Sequence, residues 1–254
     1  MRTAVAFLLL CIVVGAPIRA NFLDRFASRF LGTAEQPADD DKPWFCHDED
    51  CPPFTVVKKL GDTSEVRKYP QRCNSVSVCA LGPTLQRKFN HMWTTRLFTC
   101  IKFELALAKG YASLYRYFDG GNDQSKKLPA TEPVVARIVP VNGFRGSEQN
   151  YTIAYYLPTE FQKQDPPKPT NEAIQIFTIP AATVYAAQFG GFATEGSILE
   201  TAAKLLEQIK GEKVAVHEDF FYFAAYDPPT RMTNRHNEVW FVPKDPGTDA
   251  LVRA

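Results

Sequence analysis

The stretch TVYAAQFGGFATEGSILETAAKLLEQIKG, Thr183 to Gly211, decides the fold. Thr183 to Phe189 reads as a strand, and Gly190-Gly191 ends it. Thr194 is then placed to cap a helix. Ile198, Leu199, Ala202, Leu205, Leu206 and Ile209 fall on one face of that helix, and Lys210-Gly211 suits its end. A helix with a single apolar face needs a sheet to cover it, so the rest of the chain has to supply strands.

It does so on both sides. Ile174 to Ile179 is a strand before this stretch; Phe220 to Tyr226 and Asn237 to Val242 are strands after it, each followed by proline. The same order occurs upstream. Phe54 to Leu60 and Ser64 to Tyr69 are strands around Gly61-Asp62, and Cys73 to Ala80 alternates with period two. Leu85, Phe89, Met92, Trp93, Leu97, Cys100, Ile101, Leu105 and Ala108 keep helical period, with Gly110 as the expected stop. Val134 to Val141 and Tyr151 to Leu157 follow as strands, and the proline-rich break Gln162 to Thr170 divides the two halves. Apart from the additional strand Phe54 to Leu60, each half reads strand, strand, helix, strand, strand. The spacing predicts one α+β domain of two similar units, an antiparallel sheet with two helices on one face.

Composition narrows the function. The 254 residues are 45% hydrophobic and 22% charged, with 29 Lys+Arg against 28 Asp+Glu. Such a chain is neither disordered overall nor short of core. A net charge of +1 lacks the basic surface of a general nucleic-acid binder. Aromatics are abundant at 13%, including 19 Phe and 10 Tyr. In Phe220-Phe221-Tyr222-Phe223-Ala224-Ala225-Tyr226 both strand faces are apolar, yet the helices cover only one. The other face either belongs to an ordinary buried strand or lines an aromatic cleft with tyrosine hydroxyls as polar handles.

The N-terminus has Arg2, an uncharged run from Ala4 to Gly15 and Ala20 as a small residue for cleavage, the parts of a secretory signal peptide over residues 1–20. The run is too short for a bilayer span of roughly 20 residues. Removing Arg2 and Arg19 leaves 27 basic against 28 acidic residues, a net of −1. Secretion and an extracellular location permit disulfides among Cys46, Cys51, Cys73, Cys79 and Cys100, an odd set once Cys11 has gone. Cys73 and Cys79 cannot bridge along one unbroken strand, where they stand roughly 20 Å apart. Cys46 and Cys51 could pair with each other or with that strand. Asn150-Tyr151-Thr152 is an N-glycosylation sequon. Residues 21–50 read as an N-terminal arm, amphipathic over Phe22 to Leu31, and an acidic linker; the domain spans 51–244 and a tail 245–254. No catalytic motif is present, and His47, His91, His217 and His236 lack metal-ligand spacing, so binding is expected rather than catalysis.

Several motifs then converge. Glu65-Val66-Arg67-Lys68-Tyr69 follows the dipeptide Cys51-Pro52. Ala136-Arg137-Ile138-Val139-Pro140-Val141 and Tyr155-Tyr156-Leu157-Pro158 come next. Asp165-Pro166-Pro167-Lys168-Pro169, Phe189-Gly190-Gly191-Phe192 and Asn234-Arg235-His236-Asn237-Glu238-Val239-Trp240 complete the order. In these motifs, over residues 51 to 244, the chain resembles the SOUL heme-binding family.

The resemblance implies a distorted antiparallel β-barrel or sheet of two βαββ-type repeats with two helices, similar to effector-binding domains. It also implies non-covalent binding of heme or related tetrapyrroles without enzyme activity. Where some family members place an iron-ligating histidine, this sequence has Lys68, a poor ligand when protonated. The implied ligand surface is Arg67, Lys68, Tyr69 and Arg137, with Tyr222 from the aromatic strand; His91 and Cys51 are weak candidates for iron. Glu238, in an otherwise apolar strand, needs either a partner such as Arg235 or a place in the cleft between the repeats, and the cleft is expected. Alternatives on the same sequence are a carrier or sensor of another apolar molecule, and an interaction protein that works through its N-terminal arm.

Overall fold

A computed structural model describes residues 42–69, 73–80, 103–147, 151–179 and 181–244. Strands β1 (Thr55–Lys59), β2 (Ser64–Tyr69) and β3 (Cys73–Ala80) precede helix α1 (Phe103–Phe118). Then come β4 (Val134–Ile138), the short pair β5 (Pro140–Val141) and β6 (Gly146–Ser147), and β7 (Tyr151–Tyr156). The second half holds β8 (Ile174–Ile179), β9 (Ala182–Phe189), helix α2 (Glu195–Gly211), β10 (Phe221–Ala225) and β11 (Asn237–Phe241).

Among the described residues, nine strands form one antiparallel sheet in the order β1-β2-β9-β11-β10-β4-β7-β3-β8. It is an open sheet rather than a barrel, with β1 and β8 at its edges. The two expected repeats are present, but they are interleaved. β10 and β4 pair at the centre, with Phe223 opposite Ala136. Following register outward on either side, Ile153 takes the place of Val239, and Val78 that of Ala187. Ile174 likewise takes the place of Ser64. The sheet thus has a pseudo-two-fold axis through its middle. Each half gives one strand to the other: β2 pairs with β9, and β8 with β3.

Both helices lie on one face. Val66, Ala136, Ile153, Phe221, Phe223, Val239 and Phe241 point to that side and form the main core with Leu114, Ile198, Ala202, Leu205 and Ile209. α2 begins as expected at Thr194, whose hydroxyl accepts from the Ser197 amide while Ser197 Oγ accepts from the Thr194 amide.

α1 corrects the expectation that its helix stops at Gly110. The helix runs on to Phe118. Gly110 is buried inside it because a Cβ there would collide with Ile153 of β7, 2.8 Å from that residue's own Cβ. Glycine marks a close helix-to-sheet approach here, not an end. The end is made by Gly120, at φ +101°, and by the Gly121 amide donating to Arg116 O at 2.7 Å.

Residues 44–54 cross the opposite face of the sheet. Trp44–Cys46 is a 3-10 turn, and Cys46 is disulfide-bonded to Cys51 with Cα atoms 6.0 Å apart. Of the two pairings left open by the sequence, the local one is realised. Phe45 and Cys46 are buried against Val184, Ala186, Phe220, Ala224, Tyr226 and Trp240. Both faces of β10 are therefore covered, one by helices and the other largely by this strap.

Candidate functional site

The strap covers only half of its face, and the rings of Phe45 and Phe54 lie over Arg67 there, with its guanidinium 5.7 and 4.2 Å from their centroids. Beneath them is a closed charged cluster. Arg67 is 3% exposed and Glu238 fully buried. Five donors reach the Glu238 carboxylate: Arg67 Nη1 and Nη2 at 2.8 Å each, His236 Nε2 and Trp240 Nε1 at 2.6 Å each, and the Tyr226 hydroxyl at 3.1 Å. Arg67 Nε also donates to Glu65 at 2.6 Å. Burial pushes the Glu238 carboxyl up, but the His236 hydrogen bond and the charge and hydrogen bonds of Arg67 outweigh it and hold the pKa at about 2. His236 also stacks on Phe45, with centroids 4.0 Å apart.

Across the pseudo-two-fold, Arg67 maps to Phe177 and Glu238 to Thr152. No strap covers that half among the described residues, and an apolar cleft opens on this face between the two halves of the sheet. Tyr69, Phe177, Ile179, Val184, Tyr222 and Trp240 contribute to its walls, and Pro52 of the strap to its rim. Its sheltered volume is about 130 Å³. That is small beside the ~300–1,000 Å³ of pockets that engulf a ligand, so a large flat molecule would lie on it with one side to solvent.

Among the described residues, one cation faces this cleft. Arg137 sits opposite Tyr222 in the β4–β10 pair, with its guanidinium 4.3 Å from the Phe220 centroid. Its Nε is buried without a hydrogen-bond partner, and no carboxylate pairs with it among the described residues. Burial pushes the Tyr222 phenol up to about 12, against the opposing pull of Arg137, so it stays protonated.

The structure therefore divides the residues expected from sequence. Tyr69, Arg137 and Tyr222 line the cleft. Arg67 and Glu238 lie on the same face but satisfy each other outside it. The partner of Glu238 is Arg67 rather than Arg235, whose guanidinium donates to the carbonyls of Asp227, Pro228 and Arg231. Lys68 is exposed and, by strand alternation, belongs to the helix side of β2. Cys51 has no thiolate to offer a metal, because it is bonded to Cys46. His91, Cys100, Asn150, the segments 1–41 and 245–254, and the side chains of Cys73 and Cys79 lie outside the described residues. Phe177, Ile179, Thr152 and Trp240 were missed from sequence; their alternation within apolar strands was the available signal.

Residues 49–242 match the family model of the SOUL heme-binding protein. The chain belongs to the SOUL heme-binding family. Among relatives of this SOUL protein, Heme-binding protein 1 of Xenopus laevis is 34% identical over 140 residues, 55% of this chain and 72% of that one. Heme-binding protein 2 of Homo sapiens is 30% identical over 156 residues, 61% and 75% of the two chains. Among solved structures, the C-terminal domain of EcmrR matches 72% of this chain and 97% of its own, at 11% identity and a TM-score of 0.43.

A tetrapyrrole can be tested against the residues of this SOUL cleft. A flat apolar ring suits the aromatic walls, and Arg137, without a carboxylate partner among the described residues, suits a carboxylate. No imidazole or thiolate lines the cleft among the described residues, so the fit is to the ring and its carboxylates rather than to iron.

Proposed function

We propose that this protein binds heme or a related tetrapyrrole non-covalently, without catalysis, and outside the cell. Bound heme would supply the iron and its absorption; the chain supplies an apolar wall, a cation and partial shelter from water. The observation that carries the reading is a guanidinium that has no carboxylate partner among the described residues, in an otherwise apolar cleft. Burying a cation's face in apolar walls is costly unless an anion arrives to share it. The names of the relatives support the tetrapyrrole. The residues of the N-terminal 20 and the Cys46–Cys51 bridge support secretion into an oxidising compartment.

Titrating the secreted chain with hemin, and separately with protoporphyrin IX, tests this. A saturable absorption change at micromolar ligand with both is the expected result; no saturable change with either would overturn it. The small sheltered volume favours one other reading, a smaller apolar carboxylate. Displacement of a bound long-chain fatty acid, with no response to porphyrin, would select that reading instead.

A further inference from the structure

A second recess lies on the strap's face of the sheet. Along β2, Glu65, Arg67 and Tyr69 point to this side by strand alternation. Tyr69 lines the cleft, whereas Glu65 and Arg67 line a separate cavity towards the β1–β2 turn. Trp44 and Phe45 of the strap, Asp62 of the turn and Gln188 of β9 also face it. Its sheltered volume is about 210 Å³, larger than the cleft's, and the two share no lining residue among the described ones. It is still below the ~300–1,000 Å³ of pockets that take drug-sized molecules, so its ligand is compact.

The charge of this cavity has the opposite sign to that of the cleft. Both Nη atoms of Arg67 donate to Glu238, and its Nε donates to Glu65. Lys59, which lines the cavity from its exposed side, also donates to Glu65. These two cations stand against three carboxylates, Glu65, Glu238 and Asp62, so one negative charge is left over. The surplus falls on Asp62, whose carboxylate has neither a hydrogen bond nor an ion pair among the described residues. Glu65 and Arg67 are buried, so water screens the cavity floor poorly and the sign of a ligand's charge matters.

An aromatic wall stands beside that charge. The Trp44 indole meets the Phe45 ring and the His236 imidazole edge to face, with centroids 5.8 and 5.5 Å away. Phe45 is itself stacked on His236. These contacts hold the indole although it is 59% exposed.

We infer that this cavity binds a small primary amine carrying an aromatic ring. The ammonium donates to Asp62, with the Gln188 side chain as a further acceptor, and the ring packs against Trp44. An ammonium near the indole face gains a second attraction. An acid of the same shape meets Asp62 and Glu65 as like charges, while both cations are already engaged. The site is separate from the cleft and does not depend on what the cleft binds.

Equilibrium dialysis of the full secreted chain against 2-phenylethylamine tests this, between about 1 µM and about 1 mM. Saturable uptake of one amine per chain is expected. 2-Phenylethanol and 3-phenylpropanoate keep the shape but carry no charge or the opposite charge, and each should bind at least about tenfold more weakly. Asp62→Asn and Trp44→Ala should each raise the dissociation constant for the amine about tenfold. Both positions are exposed, so urea midpoints close to wild type are expected and show that the variants are folded. Protoporphyrin IX should not displace the amine. The absence of saturable uptake below about 1 mM overturns the inference. So does uptake of the alcohol or the acid as tight as that of the amine, amine binding that survives either variant, or displacement by the porphyrin, which would put the amine in the cleft.

Discussion

Arg67 and Glu238, 171 residues apart in the chain, form a two-pronged pair with both N–O distances at 2.8 Å. β9 stands between their strands, so one side chain comes from each half of the duplication. The pair makes the interleaving of the repeats chemically specific: Glu65 of its own half takes only the Nε of Arg67, and both Nη atoms find their acceptor in Glu238 of the other half.

Breaking that pair leaves a buried charge. Glu238→Gln is expected to lower unfolding free energy by about 3–5 kcal/mol, the range for removing one partner of a buried ion pair. The double variant Arg67→Met/Glu238→Leu should cost less than Glu238→Gln alone, since it removes both charges together. Urea unfolding of the three proteins checks both statements.

Acid should act through the same carboxylate. Its folded pKa of about 2 lies below the ordinary value near 4.5. Its contribution is therefore complete above pH ~4.5 and is lost as pH falls towards 2, on the order of 3 kcal/mol. Asp227 is also held below its usual value, because His47, the His236 amide and Arg231 outweigh the burial that raises it, and it adds to the loss with the same sign. Urea midpoints between pH 7 and pH 2 should fall steeply for the wild type and more gently for Glu238→Gln.

Gly110→Ala should destabilise despite alanine's better helix propensity. The gain is about 1 kcal/mol, while the new methyl must displace Ile153, at a typical overpacking cost of about 1–3 kcal/mol. Adding Ile153→Ala should make Gly110→Ala less harmful than in the wild-type background, a coupling that a thermal-unfolding double-mutant cycle would read.

Arg137→Met should separate ring binding from carboxylate binding. Affinity for protoporphyrin IX is expected to fall about tenfold, the worth of one charged hydrogen bond. Affinity for its dimethyl ester should barely change. Quenching of Trp240, which lines the cleft, follows both titrations.

Much of this was legible in the sequence. The alternation of Cys73 to Ala80, the Thr194 cap and the doubled order of elements rest on local chemistry, which a window of ten or twenty residues contains. Gly110 misled because glycine serves two ends, stopping a helix or admitting a neighbour, and the neighbour, Ile153, is far along the chain. The partner of Glu238 was hidden for the same reason: Arg235 is close in sequence, whereas Arg67 is brought near only by the exchange of β2 and β8. Tyr69, Arg137 and Tyr222 could be picked out because strand parity places them. That Arg137 has no carboxylate partner among the described residues depends on the whole sheet around it, which no local pattern records.

The exchange of β2 and β8 has a consequence for synthesis. β2 leaves the ribosome well before its partner β9, about 120 residues later. At roughly 5–20 residues per second, the interval is on the order of ten seconds. Throughout it the β1–β2 hairpin is without its inner neighbour, and Arg67 is without Glu238. The nascent N-terminal half is thus obliged to remain unfinished until most of the chain exists, and folding of this domain is expected to be a late, whole-chain event.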